Sequence, residues 1–328
     1  MGRQGHPLRI LFVAMAESVH TARWLGQLTD QGWDLHLFPS RRFGPHEALR
    51  AVTVHSPVRS GRAGLDASVR ERGLPWPLPR GRRRLANALE RCPGDLLKPA
   101  VRLSRLIHRL RPDIVHSLEM QSAGYLTLAA KRLVGSPFPK WIYSSWGSDL
   151  YYFGRMLEHE PRIRAVLAEC DYLFTDCERD QGLARELGFR GESLGVFPGP
   201  GGFDLEEMWS LRKPGPVAAR PLIMVKAGHE SWAGRTQVAV EALARVADQL
   251  RPYEVVFCSN EPLAARTLDP LSQVGVRCAV LPPSPHQEIL ERLGRARVAL
   301  AVNVSDGTPN TLLEAMIMGA LPVQSDTV

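Results

Sequence analysis

The sequence predicts an α/β protein made of two doubly wound parallel sheets. Three observations lead there. Short apolar runs alternate with amphipathic segments along most of the 328 residues. That alternation breaks once, over residues 206–220, and then restarts. Length and a 44% hydrophobic content suffice for two cores rather than one.

The elements follow in order. LRILFVAMA (8–16) is a first strand, buried on both faces because it has no polar alternation. HTARWLGQLTDQG (20–32) is a helix with Ala22, Leu25 and Leu28 at helical spacing and Gly32 past its end. WDLHLFP (33–39) is the second strand. Residues 40–92 are rich in Arg, Pro and Gly and predict several loops and a short helix. Leu96–Leu110 is an amphipathic helix closed by Pro112. Strands over 113–119, 140–147, 171–177 and 193–198 alternate with helices over 122–133, 162–169 and 178–187.

Residues 1–205 thus form one domain, and 206–220, with Pro214 and Pro216, a linker. The second domain, 221–328, repeats the pattern. Its strands cover 221–228, 253–259, 276–282, 297–304 and 320–325; its helices cover 234–250, 262–267, 285–293 and 309–318. Both domains are Rossmann-like, and ligands in such folds sit at the carboxyl ends of the strands. A cleft is expected between them. The second domain reads as truncated at its carboxyl end.

Composition excludes several classes. No apolar run approaches the ~20 residues of a membrane-spanning helix. Five scattered cysteines without a C-x-x-C pair read as reduced thiols in a cytoplasmic protein, not as a zinc site or disulfide framework. Histidine spacing gives no metal site, and no bound cofactor is expected. Residues 1–111 hold 20 Lys/Arg against 8 Asp/Glu, whereas the remainder holds 21 against 26. The basic excess lies in RRFG (41–44), VRSGRAG (58–64), VRERG (69–73), PRGRRR (79–84) and VRLSRLIHRLR (101–111). It fits an anionic membrane face better than nucleic acid, for which no recognition motif is present. An ordinary solvated Arg-rich surface is the plain alternative.

Three segments carry chemistry. SDGTPNTLLEAMIMGALPVQS (305–325) places Asp306 and Glu314 across a loop-to-helix junction. Thr308 suits a helix cap and Pro309 a first turn, and the free amides there favour an anion. KAGHESWAGR (226–235) sets Lys226, His229 and Arg235 around a strand-to-helix loop, suited to a diphosphate or simply to solvent. VHSLEMQSAG (115–124) and SSWGSDLYYFGR (144–155) put His116 and Glu119, then Trp146, Gly147 and Asp149, at strand ends. A turn with a helix cap would explain Asp149 equally well. FPGPGGFD (197–204), with Gly201 and Gly202, is a weak dinucleotide fingerprint because Pro200 interrupts it.

Together these segments resemble a GT-B-type retaining glycosyltransferase of family 4 (glycosyl transferases group 1). SSWGSD matches a His-Gly-Ser-Asp segment with Trp146 in the histidine's place, and FPGPGGFD resembles a Pro-Asn-Gly-Val-Asp loop. Asp306 and Glu314 match the acid-x7-acid motif, with Asp as the first acid and Thr308-Pro309 in place of Phe-Gly. The resemblance implies metal-independent transfer of a hexosyl or related sugar from a nucleotide sugar, with retention, to a polysaccharide, lipid-linked or small-molecule acceptor. It implies that Lys226 and Arg235 hold the diphosphate, Asp306 the transferred sugar and Glu314 the ribose. Gly307, Thr308, Asn310, Thr311 and His229 would add donor contacts. His116, Trp146, Gly147, Asp149, Gly201 and Gly202 would line the acceptor side. The alternatives are a non-catalytic donor- or partner-binding relative and a sugar-nucleotide epimerase.

Overall fold

The computed structural model describes residues 6–59, 64–75, 98–199, 201–227, 233–259, 263–264, 266–282 and 284–327. The chain divides into two compact units, Met1–Gly202 and Phe203–Val328.

The first unit is an eight-stranded sheet: β1 (Arg9–Ala14), β2 (Asp34–Pro39), β3 (Thr53–Val58), β4 (Arg70–Leu74), β5 (Ile114–Leu118), β6 (Lys140–Ser144), β7 (Tyr172–Thr175) and β8 (Glu192–Val196). The order is β4-β3-β2-β1-β5-β6-β7-β8, and every pairing is parallel. Strand order reverses between β1 and β5, the position where such folds open a crevice. Its helices are α1 (Val19–Gly26), α2 (Pro99–Leu110), α3 (Tyr125–Val134), α4 (Ser148–Tyr151), α5 (Glu160–Glu169) and α6 (Glu178–Glu186).

Period-two alternation splits β1 between two cores. Leu11 and Val13 join Val115, Trp141 and Tyr143 against α2, α3 and α5 through Leu103, Leu128 and Ile163. Ile10 and Phe12 face the other way, with Leu35, Leu37 and the α1 residues Ala22 and Leu25. This two-sided burial is why β1 reads as an unbroken apolar run.

The second unit is a five-stranded parallel sheet: β9 (Leu222–Ala227), β10 (Glu254–Ser259), β11 (Cys278–Leu281), β12 (Ala296–Ala301) and β13 (Leu321–Gln324). Its order is β11-β10-β9-β12-β13, so the reversal falls between β9 and β12. Its helices are α7 (Leu205–Ser210), α8 (Thr236–Arg245), α9 (Ala247–Leu250), α10 (Asp269–Gln273), α11 (His286–Leu293) and α12 (Asn310–Met318). Leu222 and Met224 pack towards α11 and α12, whereas Ile223 and Val225 pack on α8.

Several expected elements differ. The 40–92 stretch holds strands β3 and β4, which sequence alternation misses because β4, RERGL, is an exposed edge strand. The first helix ends at Gly26 and continues only as turns to Gly32. A π-helical turn over Met120–Gly124 precedes α3, so the expected 122–133 helix starts differently. Of the helix expected over 262–267, residues 262 and 265 lie outside the described residues, 263–264 are irregular and 266–268 form a turn; α10 follows at Asp269–Gln273. The expected linker is not loose chain. It contains α7, whose Met208 is buried in the second unit's core. Arg220 is buried too, and its Nη1 donates to the carbonyls of Ala296 and Met318, both at 3.1 Å. One guanidinium thereby fixes the entry to β9 against two neighbouring elements.

Candidate active site

In the second unit the chemistry-bearing residues gather at the carboxyl edge of the sheet. Lys226, half-buried, is the penultimate residue of β9 and lies between Cys258 of β10 and Ala301 of β12 in register. The loops that follow β9 and β12 are zipped together. Gly234 bridges Asn303, Arg235 N donates to Val302 O at 3.0 Å, and Val304 N donates to Ala233 O at 2.9 Å. Residues 233–235 and 302–304 are therefore one unit of backbone structure. Arg235 is exposed just before α8, with its Nη1 on Gly234 O at 2.6 Å. His229 lies outside the described residues.

Asp306 is half-buried and turned inward at its own loop. Its Oδ1 accepts from Gly307 N at 3.1 Å, and its Oδ2 from Asn303 Nδ2 at 3.5 Å. Gly307 N is thus already used locally rather than offered to a ligand. Ser325, just past β13, braces the same loop: its Oγ accepts from Asn303 N at 2.9 Å and donates to Asn303 O at 2.6 Å.

The helix that follows is α12. Its cap is Pro309 with no side-chain capping bond, so Thr308 does not cap it as its sequence position suggests. Asn310 and Thr311 lie in its first turn, where backbone amides point towards the helix's amino-terminal end. Glu314 sits one turn into α12 and is buried. Its Oε1 meets His286 Nε2 at 2.8 Å. Burial pushes the Cys258 thiol upward; the Lys226 charge opposes this and Glu314 adds to it, so both charges reach the same sulfur. Lys226 and Glu314 thus both lie near Cys258, and His286 meets Glu314.

The first unit also concentrates polar residues at strand ends, but uses them differently. Asp149 is buried, and a single oxygen, Oδ2, accepts from Met120 N at 3.0 Å, Trp146 N at 3.0 Å and Tyr143 OH at 2.9 Å. Burial, and then the nearby Glu119 charge, hold its pKa well above the usual carboxylate range. Asp149 is thus a bolt between the ends of β5 and β6 rather than an open acceptor of sugar hydroxyls. Glu119 has φ 77°, unusual for a side-chain-bearing residue, and its carboxylate accepts from Ser122 N, Ala123 N and Ser122 Oγ. It caps the turn that starts α3. Gly147 has φ 52°, which a glycine tolerates, and its carbonyl accepts from Arg179 Nη2 at 2.9 Å.

His116 is buried, its Nε2 2.7 Å from Ser144 Oγ, with the rings of Phe12, Trp24 and Phe174 within 6.0 Å. Burial lowers its pKa to about 3, so it is a neutral ring at physiological pH. With Gly201 and Gly202 it lines an apolar cavity of about 470 Å³ beside α1. Gly201 has φ 84°, and a Cβ there would meet Trp24 N at 2.4 Å. Trp146 is half-buried against His20, edge to face at 5.8 Å, and its indole Nε1 is buried without a partner.

Asp176, Cys177 and Asp180 place three ligand-type atoms within 4.8 Å of one another. A guanidinium already serves that cluster: Arg179 Nη2 lies 2.8 Å from Asp180 Oδ1, and Ser145 Oγ donates to Asp180 Oδ2 at 2.8 Å.

Sequence reasoning overlooked His286, Asn303 and Ser325. Each follows the carboxyl end of a strand, and His286 opens the helix after β11. Extending the strand-end rule to every strand would have found them.

Residues 84–176 match the family model described as glycosyl transferase 4-like. No curated protein sequence matches the chain. Among solved structures, the chain is similar to sucrose-phosphate synthase from Thermosynechococcus elongatus at 14% identity and a TM-score of 0.62, over 97% of this chain and 81% of that one. It is similar to the lipopolysaccharide outer core galactosyltransferase WaaB at 14% identity and TM-score 0.59, with coverage of 97% and 81%. Anabaena Alr3699/HepE, determined in complex with UDP-glucose, aligns at 12% identity and TM-score 0.58, with coverage of 97% and 80%. Such identities speak for the fold. The chain has the GT-B-type fold, and its residues 84–176 are similar to the glycosyl transferase 4-like family.

Proposed function

We propose that the chain transfers a sugar from a nucleotide-sugar donor to an acceptor, with retention at the anomeric carbon. The observation that carries this reading is the zipped pair of loops after β9 and β12. Lys226 pairs in register with Ala301 of β12, Asn303 just beyond it bridges Gly234, and Glu314 meets His286, which supports a donor site at this sheet edge. Lys226, Arg235 and the α12 amides hold the donor diphosphate and stabilise it as it departs. Glu314, fixed by His286, accepts from the ribose hydroxyls. Asp306 holds the hydroxyls of the sugar being transferred. The positive charge for the leaving group comes from these side chains and amides, so the reaction proceeds without a metal. The basic amino-terminal half brings the protein to the inner face of an anionic membrane, where lipid-linked acceptors reside.

Release of nucleoside diphosphate from a panel of nucleotide sugars tests this. Turnover should fall at least tenfold in Lys226→Ala and Glu314→Ala, and product NMR should show the donor's anomeric configuration retained. Unchanged release in both variants overturns the reading. An epimerase shares the fold: UDP-N-acetylglucosamine 2-epimerase from Rickettsia bellii aligns at TM-score 0.53 and 10% identity. That second reading requires conversion of the sugar nucleotide without any acceptor. Binding without either reaction would mark a non-catalytic relative, consistent with Trp146 standing where a histidine is usual.

A further inference from the structure

The first unit has a second hollow that the sugar-transfer reading leaves unused. It lies against β2, β3, β4 and α2 and has a volume of about 800 Å³. Five arginines line it: Arg59 past β3, Arg72 on β4, and Arg102, Arg105 and Arg109 on α2. The three α2 arginines are spaced three and four residues apart, which places them on one face of the helix. Glu71 is the single acid among the described lining residues. The floor is apolar: Phe38, Pro57, Leu74 and Leu106 contribute to it, and the Arg102 guanidinium sits 5.2 Å from the centre of the Phe38 ring.

The positive field is felt inside the protein. Buried His55, which also lines the hollow, is held at about 4 by burial, by His36 2.9 Å away, and then by the charges of Arg109 and Arg72. No ion pair to Arg59, Arg72, Arg105 or Arg109 occurs among the described residues. An arginine-rimmed cavity over an apolar floor asks for a ligand with two parts. Guanidinium groups match phosphate oxygens in a bidentate geometry, and the floor covers hydrocarbon. A free sugar phosphate would leave the floor wet, and a neutral lipid would leave the arginines unmatched.

We propose that this hollow binds the phosphate headgroup and proximal chain of a phosphate-bearing lipid, with Arg105 and Arg109 as principal anion ligands. The proposal sharpens the membrane part of the function proposed above. It is read by binding alone, so it can fail while sugar transfer stands, and the reverse.

The test is calorimetry of the full chain with octyl phosphate below its critical micelle concentration. Octyl glucoside serves as the chain-only probe and inorganic phosphate as the head-only probe. Octyl phosphate should bind saturably and at least about tenfold more tightly than either. The double variant Arg105→Gln/Arg109→Gln, altered only at exposed side chains, should lose at least about tenfold in affinity, whereas Arg132→Gln, at an exposed position of α3, should not. Equal affinity for octyl glucoside shows a merely greasy groove and overturns the proposal. Equal affinity for inorganic phosphate shows a plain anion site and also overturns it, as does undiminished binding in the double variant.

Discussion

The carboxyl edges of the two sheets carry similar-looking residues and put them to different uses. In the first unit, Asp149 takes three donors on one oxygen, Glu119 caps a turn, and His116 is a neutral ring in an aromatic cage. In the second, Lys226 and Asp306 stay half-buried, Arg235 is exposed, and Glu314 is held through one oxygen by a partly exposed histidine. An acid at a strand end is therefore not by itself a ligand group. What separates the two edges is the setting of each carboxylate: Asp149 is buried with three donors on one oxygen, whereas Asp306 is half-buried with Gly307 N on one oxygen and Asn303 Nδ2 on the other, and Glu314 meets a partly exposed histidine side chain.

The strongest way to break this contrast is Asp149→Ala. It strands a buried amide, a half-buried amide and a buried phenol, each costing about 1–3 kcal/mol. We expect a loss of at least about 3 kcal/mol, seen as a fall of roughly 6–12 °C in the melting temperature of a unit this size. A drop below about 2 °C would show that Asp149 is not a bolt.

Asp149→Asn sharpens the same point through pH. The carboxyl's pKa is raised on folding, so the stability it contributes is complete below its unfolded value of 3.8 and is lost as pH rises. Asn can offer the same acceptor oxygen with no charge to bury. The stability of Asp149→Asn relative to the parent should therefore improve as pH climbs from about 4 towards 7. A difference independent of pH, in denaturant titrations, would remove burial of charge as the cause.

At the other edge, Lys226→Ala and Glu314→Gln should each weaken nucleoside diphosphate binding about tenfold while shifting the melting temperature by no more than about 2 °C. A large thermal shift with unchanged binding would make the two edges alike. His286→Ala should have a smaller effect, a roughly three- to tenfold rise in donor KM at nearly constant kcat, because it removes one hydrogen bond that orients Glu314. His286→Gln should restore most of it. Gly202→Ala should touch stability alone: φ of 82° strains an alanine by about 1–2 kcal/mol, yet nothing nearer than Gln27 Nε2 at 3.8 Å opposes the new methyl. Gly201→Ala should cost clearly more, because Trp24 backbone stands in the way.

The sequence alone determined the two parallel sheets and nearly every strand of the second unit, because buried parallel strands must be apolar runs and their connections amphipathic. It also put Lys226 at a strand end, Asp306 in a following loop and Glu314 in the helix after that loop, since these depend only on where runs stop. Strands β3 and β4 escaped because Pro57 interrupts the first and the second, RERGL, is a polar edge strand with a Gly, so neither has such a signature. The stretch after Gly202 looked like a linker by its prolines, whereas Met208 and Arg220 bind it into a core that only long-range packing creates.

Tertiary structure alone decided the fate of each polar side chain. Whether Asp149 faces a sugar or three backbone and phenol donors depends on β5, β6 and the Met120 turn meeting, residues as far apart as 29 positions. His286 and Glu314 are 28 positions apart and meet only because α11 and α12 pack on the same face of one sheet. Hydrophobic periodicity records which face of an element is buried. It carries no record of which distant donor will occupy an oxygen.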